Sequence, residues 1–150
     1  MKKAICVLLI LILCIVCCCC GQEVSFTNTQ KEYAENIYSF FMNNLTTTSI
    51  GFDDELYLYT IFLINENDNY YLSSFYSTNK RYKDDKSQQV TRSGPGFYLS
   101  YLFENGNISK SNEDYDIDKL YTDVKGIAPW YADYTKEEQI NELYQIVSNF

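Results

Sequence analysis

The chain has 150 residues, with 12 Lys and Arg against 20 Asp and Glu for a net charge of −8, and it contains no histidine. Without histidine, Ser-His-Asp and Cys-His catalysis cannot be assembled within the chain, and the common zinc sites lose one of their ligand types. The acidic balance also disfavours nucleic-acid phosphate as a partner.

The N-terminus carries the clearest signal. Lys2 and Lys3 precede an uninterrupted apolar run from Ala4 to Val16, which ends in Cys17, Cys18, Cys19 and Cys20. A positive start, an apolar h-region and a small-residue exit are the parts of a secretory signal. With the cysteines counted as apolar, the run approaches the ~20 residues that span a bilayer as a helix. An uncleaved anchor is therefore an alternative, with the lysines cytoplasmic and the body outside. Ile15-Val16-Cys17-Cys18 resembles the end of a bacterial lipoprotein signal, as do the neighbouring cysteines up to Cys20-Gly21. That resemblance covers residues 1–20 and implies a cleaved leader whose new N-terminal cysteine is acylated: Cys18, Cys19 or Cys20, in that order. It also implies a cell-envelope protein held on a membrane by palmitate-like chains, with its body extracytoplasmic; two acyl chains suffice for stable attachment.

All six cysteines lie in this leader, so the body has no thiol and cannot form a disulfide. Its stability must come from packing, for which 15 Tyr, 9 Phe and one Trp provide large apolar surfaces. Beyond the leader stand 10 basic and 20 acidic residues, a net charge of −10.

Residues 21–28 read as a tether, with a candidate strand at Val24–Phe26. Thr29 and Glu32 have capping-box spacing. Tyr33, Ile37, Phe40, Phe41 and Leu45 then recur at helical spacing, predicting a helix over Lys31–Leu45 that ends in the Thr46–Gly51 stretch. Glu55–Ile64 is apolar on both faces and predicts a central strand. Asn65–Asn69 is a turn, and Tyr70–Ser77 returns as the second strand of a hairpin. Thr78–Arg92 is a polar loop with a weak strand signal at Gln88–Thr91. With Lys80, Arg81, Lys83, Lys86, Arg92 and nearby Lys110, it forms a basic patch on an acidic chain. After the Gly94-Pro95-Gly96 turn, Phe97–Glu104 predicts another strand, closed by the hairpin pair Asn105-Gly106. Asn107 opens a polar connection that begins with a candidate short strand. Ile117, Leu120, Tyr121 and Val124 keep helical spacing, predicting a short helix over Asp116–Lys125 with Gly126 at its C-terminus. Thr135 and Glu138 form a second capping-box signature. The helix that follows carries Ile140, Leu143, Tyr144, Val147 and Phe150 on one face.

The order after the leader is thus α-β-β-(β)-β-α-α. This predicts a single α+β domain over residues 29–150, an antiparallel sheet of three to four strands packed with three helices.

The chemistry left to such a body is that of carboxylates, lysine, serine and tyrosine. Ser77-Thr-Asn-Lys80 has serine–lysine spacing without the motifs that accompany it in enzymes, and reads as a strand running into a loop. Residues 112–118 gather acidic oxygens, but Ile117 stands where a calcium loop needs glycine, so a solvated loop before a helix is the expectation. No catalytic residue, metal ligand or cofactor is assigned. Ala128–Tyr134 is the most unusual string, and Trp130, Tyr131 and Tyr134 are the candidate binding residues. The composite expectation is a small, non-enzymatic, envelope-anchored lipoprotein that binds a protein or other ligand. The alternative is a membrane-anchored inhibitor or immunity protein whose negative charge attracts a basic toxin or enzyme. A carboxylate-based hydrolase ranks last.

Overall fold

The computed structural model of the protein describes residues 25–44, 46–48, 55–66, 68–84, 97–110 and 123–150. In chain order these form α1 (Asn28–Asn44), β1 (Thr47–Thr48), β2 (Leu56–Glu66), β3 (Asn69–Ser77), β4 (Phe97–Glu104), β5 (Asn107–Lys110), β6 (Val124–Pro129) and α2 (Lys136–Val147). All pairings are antiparallel. The sheet runs β2-β3-β4-β5, while β1 and β6 share the other side of β2 end to end. Thr47 pairs with Tyr57 near the start of β2, and Pro129 to Val124 pair with Thr60 to Ile64 further along.

Strand β2 is central because its sequence is apolar on both faces, and Leu58 to Ile64 are all buried. On one face, Leu58, Ile61 and Leu63 join Leu72, Tyr76, Tyr101, Phe103 and Ala128 beneath the two helices. The helices contribute Ala34, Ile37 and Phe41 from α1 and Ile140, Leu143, Ile146 and Val147 from α2. Each fully buried aliphatic side chain stabilises the fold by about 1.5–3 kcal/mol. The opposite face has its own cluster of Tyr59, Phe62, Ile64, Tyr71 and Phe75. Successive residues of β2 serve the two faces in turn, and a bulge between Leu58 and Thr60 shifts the phase so that Leu58 and Ile61 face the same side.

The hairpins follow their turn residues. Asn105 and Gly106 both have positive φ, 49° and 81°, as the tight β4–β5 turn demands. Asp68, in the β2–β3 turn, has φ 64°.

Several expectations are corrected. The described residues contain six strands and two helices, so the sheet is larger and the helices fewer than predicted. Helix α1 begins at Asn28, a turn earlier than the expected Lys31, because Thr27 rather than Thr29 closes the capping box. The Thr27 N–H donates to Gln30 Oε1 at 3.0 Å, and the Gln30 N–H donates to Thr27 Oγ1 at 3.1 Å. Both T-x-x-E/Q pairs are present in the sequence. The earlier start accompanies Phe26, within the segment read as a tether, stacking on Tyr144 of α2 at 4.0 Å. Residues 25–27 form no strand, and Thr47–Thr48 pair with β2 where a helix end was expected.

The largest correction concerns the expected helix Asp116–Lys125. Val124 and Lys125 belong to β6, as does Gly126, the presumed helix terminus; residues 116–122 and the weak strand Gln88–Thr91 lie outside the described residues. The local apolar spacing loses here to a long-range constraint, the open side of β2. Gly126 is needed for a different reason from the one expected. A Cβ there would stand 2.6 Å from the Gln145 carbonyl oxygen and 3.1 Å from Ile146 Cα, so β6 reaches α2 only without a side chain.

Gly126→Ala should therefore lower stability by about 1–3 kcal/mol through overpacking, read from the midpoint of urea unfolding; a helix-terminal glycine facing solvent would give a far smaller change. Tyr76 offers a pH test. Burial pushes its phenol well above the ordinary range, with Tyr101 adding to the effect and a hydrogen bond with Ser74 opposing it. In the unfolded chain a tyrosine ionises near pH ~10, so the folded state's advantage is full below that pH and is lost as pH rises beyond it. Tyr76→Phe should flatten the alkaline decline in stability between about pH 9 and pH 11, measured as urea midpoints across that range.

Candidate functional site

The turn from β6 into α2 is tied down at nearly every residue. The Trp130 N–H donates to the Tyr59 carbonyl at 3.0 Å, extending the β2–β6 ladder. The Tyr131 N–H donates to Gln139 Oε1 at 3.0 Å, while Gln139 Nε2 donates back to the Pro129 carbonyl at 2.7 Å. The Ala132 N–H donates to the Arg81 carbonyl at 2.8 Å, and the Lys83 N–H to Asp133 Oδ1 at 3.2 Å. Thr135 then caps α2 through the predicted box: its hydroxyl accepts from the Glu138 N–H, and the Glu138 carboxylate accepts from the Thr135 N–H. These bonds to Thr135, with Lys83 assisting, hold the Glu138 carboxyl below its ordinary range.

The segment is thus bolted to β2, to α2 and to the loop after β3. With α1 and β1 these elements line a half-open cavity of about 260 Å³. Its walls come from α1 (Tyr38, Met42), the start of β1 and β2 (Thr46, Thr47, Tyr57, Leu58), the loop after β3 (Lys80, Arg81) and the turn residues Trp130, Tyr131, Ala132 and Tyr134. The volume is a little below the ~300–1,000 Å³ of sites for drug-sized ligands.

Basic side chains and tyrosine rings alternate around this region. The Arg81 guanidinium lies 5.1 Å from the Tyr59 ring centroid and 5.0 Å from that of Tyr131. Its Nη1 donates to Thr60 Oγ1 at 3.3 Å, a hydroxyl on a fully buried residue that itself donates to the Tyr59 carbonyl. Lys80 lies 4.7 Å over Tyr57, Lys83 5.4 Å over Tyr134 and Lys136 5.8 Å over Tyr38. Such contacts contribute about 0.5–2 kcal/mol each, more where water is excluded. Carboxylates take the outer positions: Glu138 pairs with Lys83 at 3.5 Å and Glu35 with Lys136 at 3.4 Å. Glu55 accepts from the Tyr57 hydroxyl at 2.7 Å, and Glu142 from that of Tyr134 at 3.4 Å. Both phenols are shifted upward, Tyr57 chiefly by its hydrogen bond to Glu55 and Tyr134 chiefly by desolvation.

The structure brings all three sequence-predicted binding residues to this cavity, in unequal roles. Trp130 is 7% exposed and belongs to the core, stacked near Tyr38 at 5.9 Å and against Phe41 at 6.2 Å. It forms a wall of the cavity as a buried ring. Tyr131 and Tyr134 are half-buried and pack on each other at 4.3 Å. Cys18, Cys19 and Cys20 lie outside the described residues, as does the acidic stretch 112–118. Among the described residues, no three His, Cys, Asp or Glu side chains gather as a metal site, and no helix is long and apolar enough to cross a membrane. Ser77 ends β3, and its hydroxyl accepts from the Asn79 N–H at 3.3 Å.

Residues unassigned by the sequence reading complete the site: Tyr38, Arg81 and Gln139. The basic patch and the aromatic string were each visible but stand some fifty residues apart. Gln139 also left a trace, as a polar residue three and four positions before Glu142 and Leu143, on the stripe continued by Leu143 and Ile146. Comparisons with protein-family models, curated proteins and solved structures find no match to this chain.

Gln139→Leu keeps the volume and removes both hydrogen bonds, leaving the Pro129 carbonyl and Tyr131 N–H without their partner. Stability should fall by about 1–3 kcal/mol in urea unfolding, with a red shift of Trp130 emission in the folded protein as the turn loosens. A variant with wild-type stability and an unmoved spectrum would show that the turn is held without this clamp.

Proposed function

We propose that the protein is a small, non-enzymatic binding lipoprotein, held on an envelope membrane by an acylated cysteine and displaying its body on the extracytoplasmic side. The attachment rests on the leader: Lys2-Lys3, the apolar run and the four cysteines Cys17–Cys20. The binding role rests on one observation, the cavity whose walls join Trp130, Tyr131 and Tyr134 to Arg81 and Tyr38. A concave site that joins aromatic side chains to a few polar and charged groups is a common form of ligand-binding site. Aromatic and arginine side chains are also the residues that most often anchor partners.

The net charge of −10 beyond the leader supports a second reading, an anchored inhibitor or immunity protein that captures a basic toxin or enzyme. Such a partner would use the acidic exterior rather than the cavity, whose charged wall residues are basic.

Two measurements test these readings. Metabolic labelling with a palmitate analogue should mark the protein, and serine at positions 17–20 should abolish the label. An unlabelled protein that retains residues 1–20 would instead indicate a spanning anchor. In capture from an envelope fraction, Tyr131→Ala with Tyr134→Ala should reduce recovery of the bound partner at least about tenfold, matching loss of a hot-spot anchor. Recovery of a single basic secreted protein, undiminished by these substitutions, would favour the inhibitor reading.

A further inference from the structure

We propose that the cavity binds a small apolar monocarboxylate, with the Arg81 guanidinium holding the carboxylate and Tyr38, Leu58, Trp130 and Tyr131 enclosing the body. This assignment rests on the binding reading above and adds the ligand's chemical class.

The first argument is charge. The charged residues in the cavity wall are Lys80 and Arg81, both positive, although acidic residues outnumber basic ones 20 to 12 in the chain. Among the described residues, four carboxylates around the cavity have other partners: Glu138 pairs with Lys83, Glu35 with Lys136, Glu55 with Tyr57 and Glu142 with Tyr134. Among the described residues, no carboxylate lies within ion-pair distance of Arg81. The local field thus favours an anion that the chain as a whole would repel.

Geometry supplies the second argument. A guanidinium presents five N–H donors in a rigid planar fork. Arg81 commits one of its nitrogens to Thr60, and two tyrosine rings fix where the group lies. A donor held in place before binding loses less freedom on capture than a free surface side chain. The fork matches the two oxygens of a carboxylate.

The surroundings disfavour phosphate. Phosphate sites commonly draw on free backbone N–H groups at turns and helix starts. Here the N–H groups of Trp130, Tyr131, Ala132 and Lys83 already donate to Tyr59, Gln139, Arg81 and Asp133. The remaining walls combine the rings of Tyr38, Trp130 and Tyr131 and the aliphatic carbon of Met42 and Leu58 with the polar groups of Thr46, Thr47 and Gln139, and the volume of about 260 Å³ suits a compact ligand.

The test uses Trp130, the chain's single tryptophan and a wall of the cavity, as a built-in reporter. The detergent-solubilised full-length protein is titrated with 3-phenylpropionate, with the matched 3-phenylpropionamide and with inorganic phosphate, following tryptophan emission. The carboxylate should give a saturable change and bind at least about tenfold more tightly than the amide, the loss expected for one charge-assisted hydrogen bond. Arg81→Gln should weaken the carboxylate by a similar factor and leave the amide unaffected. Arg81→Lys, which retains charge but loses the fork, should fall between. Equal affinity for carboxylate and amide in the wild-type protein would overturn the proposal without reliance on any variant. So would undiminished carboxylate binding by Arg81→Gln, competition by phosphate as strong as that by the carboxylate, or no emission change with any probe. Each of these failures leaves the broader reading to be judged on its own, because loss of a captured partner on changing Tyr131 and Tyr134 would still support it.

Discussion

The antiparallel ladder between β2 and β6 is the constraint on which the rest of the molecule depends. It fills the side of β2 left open beyond β1 and sets the path of the chain through Pro129 and Trp130. The ladder's last bond, from Trp130 to Tyr59, carries the indole into the core between α1 and the sheet. From there Gln139 turns the backbone into α2, and the Thr135 box starts that helix. The close pass of β6 beneath α2 at Gly126 sets the separation of the same two elements from below. One strand pairing thereby positions a helix, a core tryptophan and the aromatic wall of the cavity.

The electrostatic character of the cavity is local and opposes that of the whole chain. A net charge describes the far field, which water and salt screen within about 10 Å. At contact range the arrangement of side chains decides, and here tyrosine rings draw Lys80, Arg81, Lys83 and Lys136 inward against their faces. Carboxylates neutralise the outer two lysines, Lys83 and Lys136, at exposed positions where such pairs add little stability. The abundance of tyrosine thus does more than fill the core: several rings have one face in apolar packing and the other beneath a cation.

Elements specified by local chemistry were legible in the sequence. The β2–β3 hairpin follows from an apolar run, a polar turn and a second apolar run; the β4–β5 turn follows from Asn105-Gly106; the start of α2 follows from Thr135 and Glu138. The start of α1 was ambiguous because two capping pairs overlap, and the packing of Phe26 on Tyr144 goes with the earlier one. Strand β6 was missed because Val124 satisfied a helical spacing with residues before it. Its pairing partner lies some sixty residues away, and spacing within a window contains no information about that edge. The candidate site divides in the same way. Trp130, Tyr131 and Tyr134 stood out as a string, whereas Arg81 reads locally as part of a solvated basic loop, and only the fold brings it 5.1 Å from the Tyr59 ring and 5.0 Å from that of Tyr131.

The sequence by itself determined an apolar N-terminal run with a cysteine-rich end, a body without thiol or imidazole, a central strand buried on both faces, and the capped final helix. Each depends on residue type or on neighbours within a few positions, where sterics and hydrogen bonding act directly. Only the tertiary structure decided that residues 124–129 complete a sheet, that Trp130 lies inside, and that a basic loop meets an aromatic turn around one cavity. Those outcomes depend on which distant surfaces bury each other, a competition settled by total packing and unrecorded in any local stretch of the chain.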